Sequence, residues 1–366
     1  MTLSALRFGA FISPFHPLGR SPTLAMARDL DLVRHLDDLG FDDVWIGEHY
    51  SGGWSIISAP EMFLAAAASQ TKRIGLGTGV VSLPYHHPFQ VASRIAQLDH
   101  LSRGRAILGL GAGVSKADAQ MLGIDPETRW RRMDEGIDAV KRLLSGEEPV
   151  SVSTDWFSLD RAELQLLPLQ ANIEIAVASN YSENSMRLAG RHGLSLLALG
   201  GFLPGGPKVD LEQRWRIAKE SAAQHSTNVS RDGLSIVLPV HLAETRDQAF
   251  QDVRTGAESW LFDYFHDTLG APVRQSTPPG REVEELVDQG GAIIGTPEDC
   301  ITAIKTLYNQ SGGFGRFLTV VLDWTTQAKQ WESFNLMAEE VVPHFSPSSL
   351  DSLRRGQLRA APGTNS

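Results

Sequence analysis

Short runs of continuously apolar residues recur along the chain, and stretches with helical apolar spacing fall between them. Phe8-Gly9-Ala10-Phe11-Ile12 is the first run and ends in Ser13-Pro14. Ser21-Pro22-Thr23 then has the composition of a helix start. Leu32, Val33, Leu36 and Leu39 continue it at helical spacing up to Gly40, a stop signal. Further apolar runs at Asp43–Gly47, Ile74–Leu83, Ala106–Leu110, Glu174–Ala178, Leu194–Leu199, Leu234–Val240 and Arg316–Leu322 predict strands two to eight. Arg132–Leu144 reads as an amphipathic helix, with Ile137, Val140 and Leu144 on one face. Met62–Ser69, short and Ala-rich, reads as a buried helix. Val150–Leu166 alternates in a mixed way that suits a hairpin insertion.

Short apolar strands suit a parallel sheet covered on both faces. Eight of them alternating with helices predict an α/β protein, a (β/α)8 TIM barrel with loop insertions at its C-terminal face. A doubly wound open sheet would carry a Gly-rich turn after its first strand. Here that turn reads Ile12-Ser13-Pro14-Phe15-His16-Pro17. Two stretches read as irregular: Gly200–Val209, with four glycines and two prolines, and Ala271–Gly291, with Pro-Pro-Gly and Gly-Gly. Either could be an active-site lid or a tolerated surface insertion. Without repeats or low-complexity segments, residues 1–345 read as one domain, and 346–366 as a polar tail.

The 366 residues carry a formal net charge of −10. That balance disfavours a nucleic-acid surface and a polybasic membrane anchor. The one cysteine, Cys300, excludes an internal disulfide. With no basic n-region before an apolar run, and no stretch long enough to span a bilayer, a cytoplasmic location is expected.

In this fold, chemistry sits where strands run into loops at the C-terminal face. After the second strand comes Gly47-Glu48-His49-Tyr50. His49 could move protons near neutral pH, or could be held in a structural hydrogen bond. After the third come His86 and His87, whose adjacency lacks metal-ligand spacing, so no metal is expected. Gly75, Gly77 and Gly79 alternate in the third strand, as if something must approach the backbone. A flat aromatic cofactor and a large core side chain both satisfy that. Gly109-Leu110-Gly111-Ala112-Gly113 follows the fourth strand, with Asp118 in the same loop. After the fifth come Ser179, Asn180, Tyr181, Ser182 and Ser185, leading into a helix. Such a place suits either an anion or plain capping.

The order and spacing of these segments resemble the bacterial luciferase-like flavin-dependent monooxygenases. Phe41–His49 is similar to the region where that family's second strand ends in Glu-His. Gly77–Pro84 with His87-Pro88 looks like its third strand and loop, and Leu98–Arg105 with Leu108–Gly111 like its fourth strand and preceding turn. The likeness resumes at Gly295-Thr296-Pro297-Glu298-Asp299. Gly52-Gly53-Trp54, Leu83–Phe89 and Ser311–Gly315 look closest to the limonene monooxygenase-like branch.

The resemblance implies reduced FMN as cofactor, delivered by a separate NAD(P)H flavin reductase. It implies O2 as co-substrate, a flavin C4a-hydroperoxide, and transfer of one oxygen atom to a small apolar substrate such as a terpene, ketone or aldehyde. His49 matches the catalytic histidine, Asp118 an acidic residue near the flavin, and Gly79-Val80 a non-proline cis peptide beside the flavin ring. Ser182 and Ser185 match hydroxyls that hold the FMN phosphate, with Ser179, Tyr181 and Gly111 nearby as further cofactor-binding candidates. Phe11, Phe15, Trp54 and Phe202 are candidates for the substrate pocket, with core packing as the alternative for each. The family usually forms dimers. Light-emitting members carry a reactive Cys where this chain has Gly111, and a phosphate-binding Arg where it has Ala112. Many members read Glu-His-His where it reads Glu-His-Tyr. These departures point to oxygenation without light emission. An F420-dependent hydride transferase of the same fold, and a flavin-binding subunit without chemistry, are the competing readings. Retention of His49 speaks against the latter.

Overall fold

The computed structural model describes residues 6–113, 115–179, 182–198, 210–268 and 280–345. Eight parallel strands close into a barrel: β1 Arg7–Phe15, β2 Asp43–Ile46, β3 Gly75–Thr78, β4 Ala106–Gly111, β5 Ile175–Ser179, β6 Ser195–Ala198, β7 Leu234–Leu242 and β8 Arg316–Leu322. Each pairs with its sequence neighbours, and β8 returns to β1 with Arg316 opposite Arg7 and Val320 opposite Phe11. The expected (β/α)8 barrel is the observed fold. Tyr181, Phe202, the Gly200–Val209 stretch and the 346–366 tail lie wholly or almost wholly outside the described residues.

The outer helices follow their sequence signals. α1 (Pro22–Leu39) is capped by Ser21 and ends at Gly40, whose φ of 85° is left-handed. α2 (Pro60–Ala68), α3 (Pro88–Ser102), α4 (Arg129–Ser145), α5 (Glu183–His192), α6 (Leu211–Gln224), α7 (Arg246–Ser259), α8 (Pro297–Ser311) and α9 (Gln327–Leu336) complete the layer. The insertion after α4 is an antiparallel hairpin, Val150–Ser153 with Ser158–Ala162. Part of the Ala271–Gly291 stretch, expected to be irregular, forms a helix at Glu282–Asp288. The short strand Ile293–Gly295 then lengthens the sheet beside β7. Among the described residues no helix is long and apolar enough to cross a membrane.

Period-two alternation sends each strand's side chains to two apolar layers. Phe8, Ala10 and Ile12 of β1 face the helices, while Phe11 and Phe15 face the barrel interior. The interior is dominated by Trp45, fully buried. A Cβ on Gly77 would lie 2.7 Å from its indole, and one on Gly109 would lie 3.0 Å from it. The bare backbone of β3 and β4 therefore makes room for a core side chain, the second of the two explanations for the glycine alternation.

A buried ionic layer closes the barrel's N-terminal end. Arg316, with no exposed surface, donates to Asp43, to Glu174 at 2.8 and 3.1 Å and to Ser235 Oγ at 3.1 Å. Its guanidinium also lies 5.1 Å from the Trp45 ring centroid. Burial opposes ionisation of Glu174, but the Arg316 charge and hydrogen bonds outweigh it and hold that carboxyl down at about 2. Arg316→Met is expected to cost about 3–5 kcal/mol, because it leaves two carboxylates facing a dry interior. A fall in the urea midpoint at pH 7 checks this.

A second buried cluster ties β1 to β8 at the opposite end. His16 Nδ1 lies 3.0 Å from Asp323 and Nε2 lies 3.0 Å from Asp29, while Arg28 bonds Asp323 at 3.1 Å. Burial works against the imidazolium, but the two carboxylates outweigh it and raise His16 to about 9 from 6.5. The proton is bound more tightly in the folded state. Its stabilisation is therefore complete below pH 6.5 and is lost as pH rises through about 9. The urea midpoint is expected to fall across that window, and the His16→Gln chain, less stable at neutral pH, is expected to lose the His16 share of that slope.

Candidate active site

Past the end of β2 the chain keeps its alternation, so Glu48 and His49 turn to different sides. The Glu48 side chain is 1% exposed. It accepts from the Ser82 N–H at 3.2 Å and from His86 Nε2 at 3.0 Å. Tyr50 OH reaches the same His86 nitrogen at 3.4 Å, and Arg94 approaches the other at 3.5 Å. Ser82 belongs to the short strand Val81–Ser82, so Glu48 anchors the segment that follows β3. That segment begins at a cis Gly79–Val80 peptide, whose Gly79 N–H donates to Ile46 O at 2.6 Å. The two histidines of the third loop separate: His86 joins Glu48, while His87 caps α3, its Nδ1 accepting from Phe89 N at 3.3 Å.

His49 is half-buried, and its backbone N–H is tied to Ile57 O at 3.0 Å. Burial pulls its pKa below 6.5, and the charges of Asp118 and Glu48 only partly restore it. The neutral imidazole, able to accept a proton, is therefore favoured near pH 7. Asp118 lies on a helical turn, Lys116–Met121, and not in an open loop. Its N–H is capped by Ser115 Oγ at 3.1 Å, and its buried carboxylate accepts a hydrogen bond from Ser51 Oγ. Tyr85 OH donates to Ser115 O at 3.3 Å. The β2, β3 and β4 loops thus meet around His49 through Ser51, Tyr85 and Asp118.

Phe11, Phe15 and Trp54 are buried on the barrel-interior side. Phe15 and Trp54 stack with centroids 5.0 Å apart and planes 18° apart. Trp54 O accepts from His16 N at 2.7 Å, which fixes the Trp54 loop to the end of β1. Tyr264 joins them with no local signal in the sequence. It lies on the π-helical stretch Trp260–Thr268 and meets Phe15 edge-on at 4.7 Å. Nor did the sequence reveal Ser51 or the Glu48–His86 pair, for which the only signal was proximity to His49 and to the third loop.

At the end of β5, Ser182 caps α5 by accepting from Asn184 N at 3.2 Å, and Ser185 Oγ donates to Ser182 O at 2.8 Å. Ser185 thus spends its proton within the first turn, whereas Ser182 uses only a lone pair there and its O–H is not part of that bond. Ser179 Oγ is different: it is buried and lacks a hydrogen-bond partner among the described residues. An unpaired buried hydroxyl beside a helix N-terminus suits a phosphate oxygen, so the residues present fit the phosphate end of FMN. No group of three or more His, Cys, Asp or Glu side chains among the described residues could hold a metal.

Residues 6–314 match the family model of the luciferase-like monooxygenases. The chain belongs to that family. It is 45% identical to 4-hydroxyprotoasukamycin monooxygenase of Streptomyces nodosus subsp. asukaensis, with 94% of each chain covered. It is also 45% identical to limonene 1,2-monooxygenase of Rhodococcus erythropolis, over 93% of this chain and 86% of that one. In fold it superposes with TM-score 0.77 on the oxygenating constituent of 3,6-diketocamphane monooxygenase from Pseudomonas putida, solved in complex with FMN, at 23% identity over 93% of this chain and 98% of that one. This luciferase-like protein is accordingly an oxidoreductase of the flavin-dependent monooxygenase type.

An added Cβ on Gly111 would lie 2.3 Å from Val80 Cγ2. Gly111 is thus the space that Val80 occupies. Gly111→Ala is expected to cost roughly 1–3 kcal/mol by overpacking. Val80→Ala in the same chain is expected to recover most of it, and a double-mutant cycle on urea midpoints measures the coupling.

Proposed function

We propose that this protein is the oxygenase component of a two-component system: it takes reduced FMN from a separate NAD(P)H flavin reductase and inserts one atom of O2 into a small apolar substrate. The observation that carries this reading is the convergence of three loops on His49. A neutral imidazole there lies within the electrostatic reach of the buried carboxylates of Asp118 and Glu48. The family membership and the unpaired Ser179 hydroxyl support FMN as the group held there.

With reduced FMN bound, the chemistry supplied is two-electron activation of O2, one oxygen atom going to the substrate and the other to water. Ser179 and the N-terminus of α5 would hold the phosphate. Gly79, Val80 and Gly111, brought together at the ends of β3 and β4, would border the ring. The aromatic wall of Phe11, Phe15 and Trp54 would hold the substrate by dispersion and exclude water from the reacting atoms. His49 takes up a proton on its imidazole nitrogen and returns it as oxygen transfer proceeds. Asp118, fixed by Ser51, stabilises the imidazolium while that proton is held.

Reduced FMN, O2 and a panel of terpenes, ketones and long-chain aldehydes are expected to give a product carrying one oxygen-18 atom from labelled O2. His49→Ala should lower its rate by roughly 100-fold or more with FMN affinity retained. Tight F420 binding without FMN binding would overturn the assignment. Because the His49 pKa lies below 6.5, the acid limb of kcat/KM is expected below that pH. Asp118→Asn removes a charge that favours the imidazolium and is expected to move the limb lower still, as a pH–rate profile reads directly.

A further inference from the structure

Tyr264 is gripped on several sides. Its ring meets Phe15 at 4.7 Å, Trp54 at 5.8 Å and Phe265 at 5.1 Å. Phe265 packs at 4.6 Å on Trp260, which packs at 5.4 Å on Trp324 just past β8. The stretch is pinned a second time by Thr268, whose Oγ1 accepts from Trp54 Nε1 at 3.1 Å and donates to Asp263 O at 2.8 Å. The Tyr264 ring is therefore a rigid part of the aromatic wall.

Its hydroxyl has no such anchor. Around His49, the Ser51 hydroxyl donates to Asp118, that of Ser115 caps Asp118 N, that of Tyr85 donates to Ser115 O, and that of Tyr50 pairs with His86. Tyr264 OH, on a half-buried side chain, makes no hydrogen bond to any described residue. Burial and then the Asp118 charge raise its pKa, so the phenol keeps its proton and is a donor at neutral pH. A phenylalanine would give the same packing without a half-buried, uncommitted hydroxyl.

We propose that Tyr264 donates a hydrogen bond to an oxygen of the substrate and so sets its orientation, the substrate being a cyclic apolar molecule that carries a carbonyl oxygen. The apolar skeleton lies against Phe15, Trp54 and Phe11, and the carbonyl points to Tyr264 OH. One contact at a fixed point then selects which carbon of an otherwise featureless ring faces the reacting oxygen. This inference rests on the monooxygenase reading of the same site.

The test uses carvone and limonene, which share one skeleton and differ by a carbonyl. Binding is measured without flavin or oxygen, by quenching of tryptophan fluorescence in the full chain, so its outcome is independent of whether oxygen transfer occurs. The parent is expected to bind carvone more tightly than limonene. Tyr264→Phe should weaken carvone binding roughly five- to tenfold and leave limonene within twofold, with an unchanged melting temperature. Equal loss for both probes, no loss for carvone, or failure of the parent to bind carvone would each overturn the proposal. Failure of the monooxygenase reading would show separately, as absence of labelled product with reduced FMN and O2.

Discussion

The indole of Trp45 occupies the centre of the barrel, and the strands around it are spaced by that fact. β3 approaches it because Gly77 presents no Cβ there, and Gly109 of β4 lies bare between the indole and the Thr78 carbonyl. Below the ring, the Arg316 guanidinium contacts it and draws Asp43 and Glu174 into the ionic floor. A buried cation so placed gains from the ring's negative face and from two carboxylates, which together offset its desolvation. The barrel's interior is thus a packed core from floor to mouth. The proposed site therefore falls at the C-terminal rim, where the loops leave that core.

At the rim the same alternation that builds the strands divides labour between neighbours. Glu48 turns inward and becomes structural, anchoring Ser82 and His86. His49, one residue on, is half-buried and has a depressed pKa. The carboxylate nearest in sequence therefore supports the loop that shapes the site, while the carboxylate with the larger influence on His49 comes from Asp118, sixty-nine residues away. The aromatic cluster is assembled in the same distributed way, with Phe15 from β1, Trp54 from the β2 loop and Tyr264 from the stretch after α7.

Several segments that carry the family likeness are structural in their contacts. Arg105 donates to Ile74 O at 2.7 Å and to Ser102 O at 2.7 Å, tying the α3–β4 turn to the start of β3. Thr296 and Asp299 form a reciprocal capping box that starts α8. Ser182 and Ser185 both make bonds within the first turn of α5. The likeness is thus largely one of turn and cap chemistry, which is why it reports the fold more directly than the substrate.

Strand and helix order, the barrel, and the residues at strand ends were legible in the chain alone, because burial on both faces writes short apolar runs and capping writes Ser-Pro, Thr-Pro and Gly at fixed offsets. The run from Ile74 to Leu83 reads as one strand, yet it breaks at Gly79–Val80, since apolarity marks burial and not backbone continuity. Apolar patterning predicts which residues face a core; it cannot say what they meet there. That Gly77 serves Trp45, that His86 answers Glu48, that Ser51 holds Asp118 and that Tyr264 closes the aromatic wall were decided only by tertiary structure. Each depends on side chains brought together from distant loops, and local sequence carries no record of such partners.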